Sequence, residues 1–81
     1  MRVVKEISNP DYRTTVFSWN NKYIIKLETP SFEQTYKIDQ YELASDLEAV
    51  QLLDAEFISK IMSRFEQMSA DMGSAIMRLQ N

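Results

Sequence analysis

Alternating apolar and polar residues run through the first half of the chain, and a period of two predicts β-strands. These runs are rich in Val, Ile, Thr, Tyr, Phe and Trp, which favour strands. Turn residues separate them, with Pro10 in the first break, Asn20 and Asn21 in the second, and Pro30 in the third. Because the connections are short, the strands form an antiparallel meander. The predicted strands are residues 2–7, 12–19, 22–28 and 32–38.

The second half changes to the spacing of an amphipathic helix. Ser45 and Glu48 fit a capping box that opens a short helix at residues 46–53. Asp54 then caps a longer helix, which ends at residue 72 or, if it continues through Gly73, at residue 79. Its apolar residues follow one another at alternating steps of three and four, which places them on one face. This seam consists of Ile58, Ile61, Phe65, Met68, Met72, Ala75 and Leu79.

These elements predict one α+β domain over residues 1–81, with a four-stranded antiparallel meander packed on one face by the long helix and the short helix before it. A two-residue turn at Asn20 and Asn21 pairs Trp19 with Lys22, and this register sorts the side chains into two faces. The first face is the predicted core. It contains Val16, Tyr23, Ile25, Leu27, Tyr36 and Ile38, with Val3 and Ile7 from the first strand.

The second face combines three large apolar residues with basic ones, a composition that a solvated surface does not need. A loop, the short helix or lysine stems could cover the apolar residues. They could instead form a homodimer interface, stack nucleobases while basic side chains hold phosphates, or bind a small molecule. The candidate interaction face comprises Arg13, Phe17, Trp19, Lys22, Ile24, Lys26 and Lys37.

The long helix also exceeds the sheet in length. A helix from Asp54 to Leu79 is about 39 Å long, whereas a strand of seven or eight residues spans about 25 Å. If the helix continues past Gly73, about 14 Å of it extends beyond the sheet. The apolar residues of this part are then exposed unless another surface packs against them. A second copy could provide it by helix pairing or by receiving the overhang on its sheet; otherwise the tail frays. The candidate dimer overhang comprises Met72, Ala75, Ile76 and Leu79.

The amino-acid composition excludes several kinds of catalytic and binding site. The chain has no Cys, no His and one Gly, so we expect no thiol or histidine catalysis, no metal or cofactor site, and no enzyme activity. Carboxylates cluster near the helix starts, where the helix dipole explains them. The N-terminus lacks the apolar run of a signal peptide, and no stretch is apolar enough to span a membrane, so we expect a cytoplasmic protein. Residues 1–38 carry six basic and four acidic side chains, whereas residues 39–81 carry three and eight.

Four antiparallel strands followed by a helix resemble the whirly-type folds that bind single-stranded nucleic acids, a group that includes the Pur-alpha proteins, and the layout is also similar to that of small bacterial proteins. The whirly resemblance implies that basic and aromatic side chains of the sheet contact bases and that two units pair through helices. The matching residues are Arg13, Phe17, Trp19, Lys22, Lys26 and Lys37. We therefore predict a non-enzymatic interaction module that forms a homodimer, with single-stranded nucleic-acid binding through the second face as the alternative.

Overall fold

The computed structural model describes residues 1–80 and has an antiparallel sheet followed by helices, which confirms the predicted α+β class. The strands lie side by side in chain order, as in a meander. They are β1 (Arg2–Ser8), β2 (Arg13–Trp19), β3 (Lys22–Glu28) and β4 (Glu33–Asp39). A 3-10 turn (Gln40–Glu42) leads to α1 (Asp46–Gln51) and α2 (Ala55–Gln80).

The turn between β2 and β3 sets the register of the sheet. Asn20 and Asn21 have φ values of 54° and 62°, the left-handed conformation that a type I′ turn requires and that Asn tolerates. Trp19 therefore pairs with Lys22, and Val16 pairs with Ile25. The predicted register of this hairpin is confirmed, and the pairing of β3 with β4 also follows the predicted scheme.

Strand β1 contains a bulge, which changes the face of one of its two predicted core residues. Val3 pairs with Phe17 and Lys5 with Val16, so the register shifts between them. Val4 consequently packs against the core, whereas Val3 lies on the second face and is 56 % exposed. The assignment of Val3 to the core face was wrong, because it assumed an uninterrupted alternation. Ile7 lies on the core face as predicted, but it belongs to an edge strand and remains partly exposed.

Both helices pack on the first face of the sheet. Val16, Ile25 and Ile61 are completely buried where α2 crosses the strands. The Gln34 side-chain amide donates a hydrogen bond of 3.0 Å to the carbonyl oxygen of Ile61, which ties β4 to α2 without leaving a buried polar group unpaired. Ala49 of α1 belongs to the same core cluster. The core therefore lies between one sheet face and the helices.

The two helix caps form where the sequence predicts them. The Ser45 hydroxyl accepts a hydrogen bond from the Glu48 amide, while the Glu48 carboxylate accepts one of 2.8 Å from the Ala44 amide. The Asp54 carboxylate accepts a hydrogen bond of 2.8 Å from the Phe57 amide at the start of α2. Helix α1 ends at Gln51, two residues before the predicted limit of residue 53.

Helix α2 continues through Gly73 to Gln80, so of the two predicted ends the longer one is correct and the end at residue 72 is wrong. Gly73 keeps a negative φ, and one glycine costs only about 1 kcal/mol inside a helix, which does not break a segment of this length. The long helix gives the molecule an elongated shape of 52 × 25 × 19 Å.

Candidate interaction surfaces

The second sheet face presents its side chains in rows across the strands. One row consists of Val3, Phe17, Ile24 and Lys37, one residue from each strand. The neighbouring row, at the end of the β2–β3 hairpin, consists of Trp19, Lys22 and Asp39. The sequence predicts that Phe17, Trp19 and Ile24 lie opposite the helices, and the register places them there.

The three apolar residues that the sequence predicts for this face differ in exposure. Ile24 is only 6 % exposed although it lies outside the core cluster, because its direct cross-strand neighbours are Phe17 and Lys37. Phe17 is half-buried, whereas Trp19 is 55 % exposed. Helix α1 packs on the other face and does not cover them. The apolar part of this face that remains open consists of Trp19 and Val3.

Acidic neighbours pair most of the basic residues on this face. A guanidinium nitrogen of Arg13 lies 2.5 Å from a Glu6 carboxylate oxygen. The ammonium group of Lys26 lies 3.6 Å from Glu33 and 3.9 Å from Glu28. Lys37 is the exception, since it joins no salt bridge within residues 1–80. Paired charges attract phosphates weakly, so the face is less basic than its lysines and arginine alone indicate.

Lys22 and Asp39 form the ion pair nearest to Trp19. Their side-chain atoms lie 2.5 Å apart, and the resulting hydrogen bond and charge attraction raise the pKa of Lys22 and lower that of Asp39. Tyr41, 84 % exposed, donates a hydrogen bond of 3.2 Å from its hydroxyl to the same carboxylate. Sequence reasoning missed Asp39 because it ended the fourth strand at residue 38. The pairing scheme, extended by one residue, places Asp39 opposite Lys22.

The second candidate surface is the C-terminal part of α2. Met68 is the last residue of the helix that packs against the core cluster. We call residues 69–80 the free end of α2, a segment about 18 Å long at the usual helical rise. The predicted overhang lies within it: Met72 is 52 % exposed, Ile76 46 % and Leu79 88 %, while Ala75 is half-buried. Met77, which the sequence analysis did not select, is 64 % exposed.

A shallow apolar depression lies between β4 and the start of α2. Its lining consists of Ile25, Tyr36, Lys37, Ile38, Leu52 and Phe57. Two of these residues, Tyr36 and Phe57, meet edge to face, with ring centroids 5.1 Å apart. Small-molecule sites orient a ligand with several converging polar groups. Lys37 is the charged residue of the lining, and its pairing with Ile24 places its side chain on the second sheet face, away from the depression. Its geometry therefore assigns no ligand.

Within residues 1–80, no three carboxylates group closely enough to hold a metal ion. The helices of the same segment include none that is long and apolar enough to cross a membrane. Comparisons of the chain with protein families, with curated proteins and with solved structures gave no match.

Proposed function

We propose that this chain is a non-enzymatic interaction module that forms a homodimer through the free end of α2. The observation that carries the proposal is the exposure of Met72, Ile76 and Leu79 on an ordered helix beyond the sheet. Contiguous apolar surface of this kind is uncommon on monomers and is typical of interfaces between proteins.

A second copy suits this surface on energetic grounds. The first half of α2 is fixed by core residues such as Ile61 and Phe65, so the free end is already helical before a partner arrives. Association then costs little additional ordering entropy. A two-fold axis places the same stripe of both helices face to face, so that the apolar stripe of one copy packs against the apolar stripe of the other.

The test is the mass in solution. Sedimentation equilibrium of the wild type should give twice the chain mass of 9.5 kDa, and Met72→Asp should shift it towards monomer because the new carboxylate would be buried in the seam. Met77→Asp is the matched control, since Met77 is also exposed on the free end but lies on the outer side of the helix. Circular dichroism checks that both variants stay helical. A wild type that remains monomeric at about 100 μM contradicts the proposal.

The second candidate function is single-stranded nucleic-acid binding through the second sheet face. The exposed indole of Trp19, in the same row as Lys22, favours it, because aromatic side chains stack on bases while lysines contact phosphates. The pairing of Arg13, Lys22 and Lys26 with carboxylates weighs against strong binding.

Trp19 is the single tryptophan, so its fluorescence reports directly on this face. Binding of an oligonucleotide should quench the fluorescence, and the affinity should fall steeply as salt rises. Lys37→Gln should weaken binding, whereas Lys60→Gln on α2 should not. Unchanged fluorescence at low salt removes this candidate.

A further inference from the structure

The free end of α2 carries opposite charges on the same side of its apolar seam. The seam continues through Met68, Met72, Ala75 and Leu79 at alternating steps of four and three. Asp71 directly precedes Met72, and Arg78 directly precedes Leu79, so the two charges lie one heptad apart along one flank. No salt bridge within residues 1–80 involves either of them.

We infer that the two copies pair with their α2 helices antiparallel, with Asp71 of each copy against Arg78 of the other. The inference rests on the proposed dimer and specifies its geometry. When two such helices pair antiparallel, the charged residue that directly precedes a seam residue in one copy lies on the same side of the interface as the equivalent residues of the other copy. A two-fold axis between Gly73 and Ser74 opposes Met72 with Ala75 of the second copy. It also forms the Asp71–Arg78 contact twice.

The other pairings of the same seam lack this complementarity. A shift by one heptad in one direction places Asp71 against Asp71 of the second copy, and a shift in the other direction places Arg78 against Arg78. A parallel arrangement brings Asp71 towards Ile76, so its charge has no partner. Like charges opposite each other disfavour a pairing. The charge pattern therefore selects one orientation and one register.

The remaining residues of the free end agree with this register. Ile76 lies on the opposite flank of the seam, where the second copy presents Ser69, so its exposed side chain becomes partly covered. Gly73 points away from the interface, and a Cβ built there meets no atom within 4 Å. The Arg78 guanidinium donates a hydrogen bond of 2.9 Å to the exposed Ser74 hydroxyl one turn earlier, so within one copy it contacts a neutral group and no carboxylate of residues 1–80.

The test is a charge exchange measured by sedimentation at low salt. Asp71→Arg alone and Arg78→Asp alone each place like charges together twice, so each should weaken the dimer about tenfold. The double variant Asp71→Arg with Arg78→Asp restores both contacts in reversed order and should dimerise within about threefold of the wild type. An equimolar mixture of the two single variants should form heterodimers, because both of its contacts are attractive. High salt should reduce all these differences.

The outcomes separate this inference from the proposed function. If the wild type dimerises and Met72→Asp disrupts the dimer, but the double variant is as weak as the single ones, the free end is the interface and the antiparallel register is wrong. A monomeric wild type overturns both proposals. Circular dichroism of each variant checks the helix; because Asp71 and Arg78 are exposed, their exchange should leave the fold intact.

Discussion

At the scale of single residues, Asp46 connects three elements of the fold. As the first residue of α1, it accepts a hydrogen bond of 2.7 Å from Arg2 of β1 and one of 2.6 Å from the hydroxyl of Tyr23 in β3. These hydrogen bonds, from Arg2 first and then Tyr23, lower the pKa of Asp46 to about 2. The carboxylate thus fixes α1 over the sheet end beside the β2–β3 turn.

These contacts of the Asp46 carboxylate should make the free energy of unfolding depend on pH. An unfolded Asp has a pKa of about 4, so the folded state binds fewer protons between pH 4 and pH 2. The contribution of Asp46 is therefore present above about pH 4 and is lost as the pH falls towards 2. Urea unfolding should show that Asp46→Asn is less stable than the wild type at pH 7. The difference between their free energies of unfolding should disappear as the pH falls towards 2. Glu66→Gln, which removes a carboxylate at an exposed site, is the control. If the stability difference between Asp46→Asn and the wild type persists unchanged in acid, the proposed contribution of the Asp46 carboxylate is contradicted.

Local chemistry decides which residue contacts a sequence can predict. The positive φ values of Asn20 and Asn21 follow from two local features, a two-residue connection between strands and a residue type that tolerates such values, and they fix the register that separates Val16 from Phe17. The contact between Tyr23 and Asp46 depends instead on how α1 docks, which the strand pattern does not specify. The bulge beside Val3 is likewise invisible in the alternation of β1, because an extra residue in one strand changes the pairing without changing the composition.

At the scale of elements, α2 shows why a long helix tolerates a glycine. The caps at Asp54 and the packing of Ile61 and Phe65 hold the first half, and the remainder continues as a regular helix. The sequence predicts the seam and leaves two possible ends, since Gly73 fits either a helix interior or a terminus. Continuing the helix through Gly73 costs less free energy than ending it there, because the helix has to accommodate only one residue of low helix propensity.

Replacing this glycine should therefore stabilise the protein. Gly73 has a negative φ and open space around its Cβ position, so Gly73→Ala should raise the free energy of unfolding by about 0.5–1 kcal/mol. Ala70→Gly, also on the exposed side of the free end, should lower it by a similar amount. Urea denaturation monitored by circular dichroism measures both changes. A Gly73→Ala variant less stable than the wild type would contradict the account of α2.

At the scale of the whole molecule, the apolar surface is divided unequally. The sheet and the first half of α2 bury one another around Ile25, Leu27 and Ile61, whereas the free end extends the molecule to 52 Å and keeps its apolar residues exposed. The sequence predicts this division for the longer of the two possible helices, because helix and strand lengths follow from residue counts, but it does not decide between the ends at residues 72 and 79. It does not predict how well the second face is neutralised, since that depends on which carboxylates the register brings next to Arg13 and Lys26.

Because the free end of α2 is the surface proposed to pair, the thermal stability of the whole molecule should depend on its concentration. Unfolding of a dimer also dissociates it, so mass action stabilises each chain by about 0.7 kcal/mol for every tenfold rise in concentration above the dissociation constant. For a domain of this size that corresponds to a Tm increase of roughly 3–6 °C. Calorimetry should show this increase for the wild type and for Met77→Asp, whereas Met72→Asp should keep a constant Tm. A wild-type Tm that stays constant over a hundredfold range of concentration contradicts pairing through α2.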